Sequence, residues 1–275
     1  MKKVLIGMAA LLASVSVYAL DVHGSNANFI EVEKVNPNEG ETNTTIKYVF
    51  VDGSVSFGDT GFSLGAHVAK KENSGNYDLN IIEFYPRYTF ESVNGWTPGL
   101  EFGYKSEVTA NSDFSGSDSE KFKIRPWISG NITENVSLFS EFIYEDNIKN
   151  DWHLYELYVE PAFKLTDSTK VGFGLKYGEE SKDNGDKNFS KYFAKLFVNH
   201  TFDSKWSGYG VLEYENLDFS DKEVKNKDSI KPILGASYGL TSHLNAFGEV
   251  SYKWEKQDDY KGRITFFKAG LGYNW

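Results

Sequence analysis

Ionised side chains recur in this chain at spacings of two and four. Glu83 precedes Arg87, Glu101 precedes Lys105, Lys123 precedes Arg125, Glu141 precedes Glu145 and Glu156 precedes Glu160. Residues two or four apart point to the same side of an extended strand, so each group lines one face. Asp52, Glu107, Lys164, Lys170, Lys176, Lys191, Lys195, Glu213, Glu215, Lys231, Glu249, Lys253 and Lys268 fall on the same faces. So many ions cannot enter a dry interior, where an isolated charge is prohibitively costly, so they must face water. Covalent chemistry has few candidates. There is no cysteine, which removes disulfides, thiolate nucleophiles and thiolate metal sites. The histidines are His23, His67, His153, His200 and His243, and none adjoins a G-x-S-x-G nucleophile motif. No catalytic group, metal or cofactor is expected. The chemistry this pattern can perform is solvation and electrostatic selection of solutes.

The elements that carry these charges must be strands, because the residues between them are apolar with a period of two. Ile82, Phe84, Pro86, Tyr88 and Phe90 oppose Glu83, Tyr85, Arg87 and Thr89. Val171, Phe173, Leu175 and Tyr177 oppose Lys170, Gly172, Gly174 and Lys176. Ile230, Pro232, Leu234, Ala236, Tyr238 and Leu240 oppose Lys231, Ile233, Gly235, Ser237 and Gly239. The chain ends in the same way, from Phe267 through Leu271 and Tyr273 to Trp275. An apolar outside, a polar inside and an aromatic last residue predict an all-β fold, a transmembrane antiparallel up-and-down β-barrel. Pro86, Pro126, Pro161 and Pro232 cannot donate to a ladder and are expected at bulges or rims.

Short turn-forming segments predict one side of this barrel: Gly58-Asp59-Thr60-Gly61, Glu91 to Asn94, Thr133-Glu134-Asn135, Thr166-Asp167-Ser168, Asp203-Ser204 and Thr241-Ser242. Longer polar stretches predict the other side: Lys34–Glu41, Lys70–Tyr77, Ser106–Ser119, Asp146–Asp151, Glu179–Asn188, Asn216–Lys227 and Glu255–Tyr260. The alternation counts about fourteen strands, with short turns towards the periplasm and long loops outside. A soluble β-sandwich with an aromatic core would have no reason for that asymmetry.

Aromatic residues make up 16 % of the chain although its mean hydropathy is -0.45. Phe57, Phe62, Phe90, Phe202, Trp206, Tyr273 and Trp275 flank the short turns or the C-terminus. Tyr104, Tyr144, Tyr177, Tyr192, Tyr214 and Tyr252 lie at the opposite strand ends with outward parity. Two such levels are expected of membrane-interface girdles. Residues 1–19 read separately, as a signal peptide: Lys2 and Lys3, then an apolar run to Val17, then Val17-Tyr18-Ala19 as a cleavage signal. Residues 20–275 are the barrel. The run is too short for a spanning helix, and no later stretch reaches about 18 apolar residues. A net charge of -10 and the lack of a basic tract argue against nucleic acid.

About fourteen strands enclose more space than the eight whose interior side chains fill. An aqueous lumen is therefore expected, lined by Glu83, Arg87, Glu101, Lys105, Lys123, Arg125, Glu141, Glu156, Glu160, Lys176, Lys195, Glu213, Lys231, Glu249 and Lys268. Glu141, Glu145, Glu156 and Glu160 form an acidic sector between basic groups on either side. Salt-bridged ladders without a selectivity role are the alternative for any one of these residues.

Two segments, Lys123-Ile124-Arg125-Pro126 running through Ile132-Thr133-Glu134-Asn135, and Leu244 to Glu255 with the terminal Ala269 to Trp275, resemble the outer-membrane protein G (OmpG) family. The resemblance implies a monomeric fourteen-stranded porin in the outer membrane of a Gram-negative bacterium. It implies passive diffusion of ions, sugars and oligosaccharides, and a gating loop near Asn216 to Lys227. Outer-membrane lipid and, through the C-terminal strand, the barrel-assembly machinery are the implied partners. The family's histidine pair is not matched, since His67 points inward and His200 outward, so pH gating is not carried over. An adhesin or structural barrel, an outer-membrane enzyme and a twelve-stranded porin for acidic oligosaccharides are the alternatives; the last would want a basic lumen.

Overall fold

Period-two alternation becomes fourteen antiparallel strands in the computed structural model, which describes residues 21–35, 44–73, 78–109, 119–221, 223–258 and 260–273. The strands are β1 (Asp21–Val35), β2 (Thr44–Ser56), β3 (Phe62–Asn73), β4 (Asp78–Thr89), β5 (Trp96–Thr109), β6 (Ser119–Thr133) and β7 (Val136–Asn147). They continue as β8 (Trp152–Lys164), β9 (Thr169–Lys182), β10 (Lys187–Thr201), β11 (Trp206–Phe219), β12 (Lys227–Gly239), β13 (Leu244–Gln257) and β14 (Tyr260–Tyr273). Each pairs with its neighbours in sequence, and β1 pairs with β14 from Ser25↔Tyr273 to Val35↔Arg263. That last ladder closes the barrel and removes both sheet edges. Residues 1–19 and Trp275 lie outside the described residues.

The burial pattern is the reverse of a soluble domain. Leu234 is 66 % exposed on the outer face, while Glu101 is 2 % exposed on the inner one. Leu157, Leu175, Leu196, Val250 and Phe267 repeat the outward exposure around the wall. A continuous band of this kind needs a lipid solvent, since monomeric soluble proteins rarely expose apolar patches beyond a few hundred Å².

The short turns lie where the sequence places them. Asn94 and Gly95 take left-handed φ values of 52° and 80°, the pair of conformations that a tight hairpin with right-handed twist demands. Gly61 has φ 76°, and a Cβ there would stand 2.2 Å from the Thr89 carbonyl oxygen. The other ends differ from expectation. Ladders run on past the apolar pattern: β9 and β10 are joined by Asp183 to Asp186 alone, and β11 extends to Phe219. Several stretches expected as long loops are thus the upper parts of charged hairpins, because backbone pairing does not require apolar side chains.

The prolines also correct an expectation. Pro86, Pro126, Pro161 and Pro232 lie mid-strand, each paired with the preceding strand and interrupting pairing to the following one. Register is the same on both sides of every interruption, so these are missing ladder bonds without a bulge.

Candidate functional site: the barrel lumen

The inner face of β4 to β7 is organised around Glu101. The pairing Arg87↔Glu101↔Arg125 puts one carboxylate between two guanidinium groups on adjacent strands. Arg87 donates to it from Nη2 at 2.5 Å and Nε at 3.1 Å. Lys123 Nζ stands 3.2 Å away and Arg125 Nη1 3.6 Å away. Arg125 Nε also donates to Glu141 at 2.6 Å, and Lys123 reaches Glu83 at 3.4 Å. Lys105 pairs with Glu107 at 2.5 Å and Lys121 with Glu145 at 3.0 Å. One planar fork on Glu101, from Arg87, and a second on Glu141, from Arg125, make a stiff cluster.

The adjoining wall, β8 to β13, uses lysine instead. Glu156 accepts from Lys176 at 3.0 Å and lies 3.2 Å from Lys191, which bridges to Glu215 at 3.5 Å. Lys195 pairs with Glu160 at 2.5 Å and Lys231 with Glu213 at 3.7 Å. Glu255 joins Lys227 at 3.0 Å and Lys253 at 2.9 Å. The acidic sector expected from the sequence is therefore divided. Glu141 and Glu145 are compensated from β6, and Glu156 and Glu160 from β9 and β10. Glu249 accepts from the Tyr209 hydroxyl and faces Lys268 across the β13–β14 ladder.

A set of aromatic side chains shares these inward positions, and of them the sequence reading singled out Tyr85 alone. Trp127, Phe139 and Tyr158 follow one another at 6.5 and 6.3 Å between ring centres. Lys195 lies over Tyr158 and Phe197 at 5.4 and 5.3 Å, Lys231 over Phe266 at 4.9 Å and Lys268 over Phe247 at 5.5 Å. The rings lie along the wall because glycines face them. A Cβ on Gly99, Gly172, Gly174 or Gly235 would stand 2.1–2.4 Å from Trp127, Phe197, Tyr158 or Tyr209. A third group, Tyr48, Phe50, Ala69, Leu79 and Ile81, makes an apolar patch on β2 to β4, capped by His67, which shares a 2.8 Å hydrogen bond with Tyr48. The available signal was inward parity of aromatics opposite inward glycines.

No family model matches the sequence, and no curated protein matches it. Solved structures do match the fold. A monoaromatic hydrocarbon channel, CymD, is similar with a TM-score of 0.58 at 9 % identity, over 98 % of this chain and 92 % of that one. An anion-selective porin from Comamonas acidovorans is similar with a TM-score of 0.52 at 11 % identity, over 93 % and 100 %. OmpT, an outer membrane protein of Vibrio cholerae, has a TM-score of 0.53 at 10 % identity, over 94 % and 98 %. At these identities the likeness establishes the fold, an antiparallel β-barrel of the kind found in outer-membrane proteins, and nothing of role or solute.

The described aromatics expected in two girdles keep outward positions. Phe90, Tyr104, Tyr177, Tyr192, Trp206 and Tyr214 are exposed on the outer face. Phe57, Tyr144 and Tyr252 are half-buried, the first against Phe62 at 5.2 Å, the others against Tyr155 at 5.1 Å and Trp254 at 4.5 Å. The expected gating segment, Asn216 to Lys227, is strand as far as Phe219. Beyond it, Lys225 stands 2.5 Å from Asp258, and Gln257 Nε2 donates to the Lys225 carbonyl at 3.0 Å. Among the described residues no cluster of three His, Asp or Glu groups could hold a metal ion.

Proposed function

We propose that this chain is an OmpG-like outer-membrane porin, a monomeric barrel whose water-filled lumen passes small hydrophilic solutes such as ions, sugars and short oligosaccharides. The observation that carries the reading is the state of the lumen charges. Lys123, Glu83, Lys191 and Glu215 each keep 22–26 % of their side-chain surface open inside a closed fourteen-strand wall. Ions that pair with one another and still touch solvent describe a wet passage; a filled barrel would bury them. The mixed signs favour broad permeation over strong selection for acidic solutes. The fifteen charged residues expected at the lumen act in this reading as a paired lining that sets local potential. The signal segment 1–19, outer-membrane placement and assembly through β14 belong to the same proposal.

Planar-bilayer recording of the refolded mature chain tests it. The expected result is single-barrel steps of sub-nanosiemens to nanosiemens size with a weak cation preference that fades near 1 M salt, where the Debye length is about 3 Å. A folded barrel that leaves liposomes impermeable to ions and small sugars would refute it in favour of an adhesin or structural barrel.

A further inference from the structure

The outer face carries one feature that passage through the lumen does not use. At the end of the wall away from the short turns, β11 to β14 place Tyr214, Ile230, Trp254 and Arg263 side by side in one row, through the pairs Tyr214↔Ile230, Ile230↔Trp254 and Trp254↔Arg263. The next outward row pairs Asp228 with Lys256, and Lys256 with Lys261. These residues line a groove of about 500 Å³. Its floor is apolar, with Tyr214, Ile230 and Trp254 each 42–46 % exposed. Its rim is cationic, with Lys256, Lys261 and Arg263 all exposed.

Lys256 directly opposite Lys261 is unfavourable by itself, because like charges across a ladder repel at about 5 Å between Cβ atoms. Arg263 adds a third cation one row away. Among the described residues none of the three forms an ion pair. Asp228 is the one carboxylate in the groove's outer row, and its Oδ1 already accepts from Tyr214 at 2.7 Å and Asn216 at 3.0 Å. In a chain of net charge -10 this is a local excess of positive charge on the lipid side. The order along β13 is Tyr252, Trp254, Lys256, running from the bilayer interior towards the rim. Apolar contacts therefore lie on the membrane side of the groove and cations above them, the polarity of an anionic amphiphile standing in the leaflet.

We infer that this groove binds a phosphorylated glycolipid of the outer leaflet. Lys256, Lys261 and Arg263 hold its phosphate groups, and Trp254, Tyr214 and Ile230 pack against its acyl chains and sugar face. The assignment rests on the outward orientation of the long hairpins proposed above and not on the channel activity. Arg263 supplies a planar fork for phosphate, and the two lysines act as point charges that share an anion between them. Basic pockets at membrane surfaces recognise anionic headgroups by this combination.

The test uses the refolded mature barrel in a neutral detergent, with native mass spectrometry and lipid titration as readouts. The probes are diphosphoryl lipid A, its dephosphorylated form and inorganic phosphate. Diphosphoryl lipid A should bind, and K256Q/K261Q/R263Q should weaken it at least about tenfold. K182Q/K187Q, on another sector of the rim, should leave binding unchanged. The triple variant should keep the wild type's β-sheet circular-dichroism spectrum and heat-modifiable gel mobility, which confirms that it folds. If the triple variant does not fold, Lys261→Gln alone should weaken binding, and Trp254→Ala should weaken the dephosphorylated lipid as well. Equal binding of phosphorylated and dephosphorylated lipid, unchanged binding by the charge variants, or inorganic phosphate competing at the lipid's own affinity would each overturn the assignment. Loss of conductance with binding retained would instead remove the porin reading and leave this one standing.

Discussion

The two walls of the lumen solve the same problem with different cations. On β4 to β7, Glu101 is 2 % exposed and is held by the Arg87 fork, with Lys123 and Arg125 beside it and the Arg125 fork on Glu141. On β8 to β13, Glu156 is 6 % exposed and is held by Lys176 and Lys191. Guanidinium forks are planar and always charged, so the first wall is pinned in one geometry. Ammonium groups on flexible stems can swing between Glu156, Glu215 and Glu160, so the second wall can rearrange without losing compensation. Rings lie against glycines on both walls, but among the described residues only the second places lysines over them, at Tyr158, Phe193 and Phe197. The contrast assigns stability to the arginine wall and adaptability to the lysine wall.

The largest effect should come from Glu101→Gln. It leaves Arg87, Lys123 and Arg125 around a neutral group, and the loss of charge-assisted hydrogen bonds at a buried acceptor costs about 2–3 kcal/mol. The urea midpoint of the refolded barrel should fall, and the reversal potential should shift towards anions. Glu156→Gln should cost less, because Lys191 retains Glu215 at 3.5 Å and is not left as an uncompensated charge. Its reversal potential should shift in the same direction. Equal stability losses at the two sites would erase the distinction between the walls.

Glycines sharpen it further. Gly174→Ala would bring a Cβ within 2.2 Å of the Tyr158 hydroxyl, so the ring must turn off the wall and into the passage. Single-channel conductance should drop by tens of per cent, with overpacking costing about 1–2 kcal/mol. Gly103→Ala meets Lys123 at 3.0–3.2 Å, on the stem and far end of a flexible chain, and should change conductance little. If Gly103→Ala narrows the channel more than Gly174→Ala, the arginine wall is the constriction.

The smallest effect lies outside both walls. Asp203 accepts the backbone N–H of Lys205 at 2.7 Å and of Trp206 at 2.8 Å, which holds its carboxyl below its ordinary value of 3.8. A depressed carboxyl stabilises the turn above that unfolded value and loses the contribution as pH falls through the folded one. Protection of the Trp206 amide against hydrogen exchange, relative to its intrinsic rate, should fall below about pH 3.8, with little global change. A turn insensitive to acid would mean that the side-chain acceptor is dispensable.

Strand number, face assignment and the positions of the six short turns were all legible in residue types. Period-two alternation states which side of a strand meets lipid, and Gly, Asn and Asp state where the chain reverses. Period two also puts the fifteen candidate charges on one face of the ladders, while their service as a channel lining belongs to the proposal. Strand ends were not, because charged residues such as Glu179 to Lys182 pair their backbones as well as apolar ones do. The mid-strand prolines differ from expectation for a related reason: one missing donor does not shift a register held by nine or more other pairs.

By itself, then, the order of residues determined a closed antiparallel wall with an apolar exterior and an ionised interior. Tertiary structure decided who meets whom across that interior. Lys123 reaches Glu83 forty residues away and Tyr209 reaches Glu249 at the same separation, two strands over in each case. Such pairings depend on the register and stagger that closure imposes. Period two cannot specify them, because shifting a strand by two residues preserves every face and changes every partner.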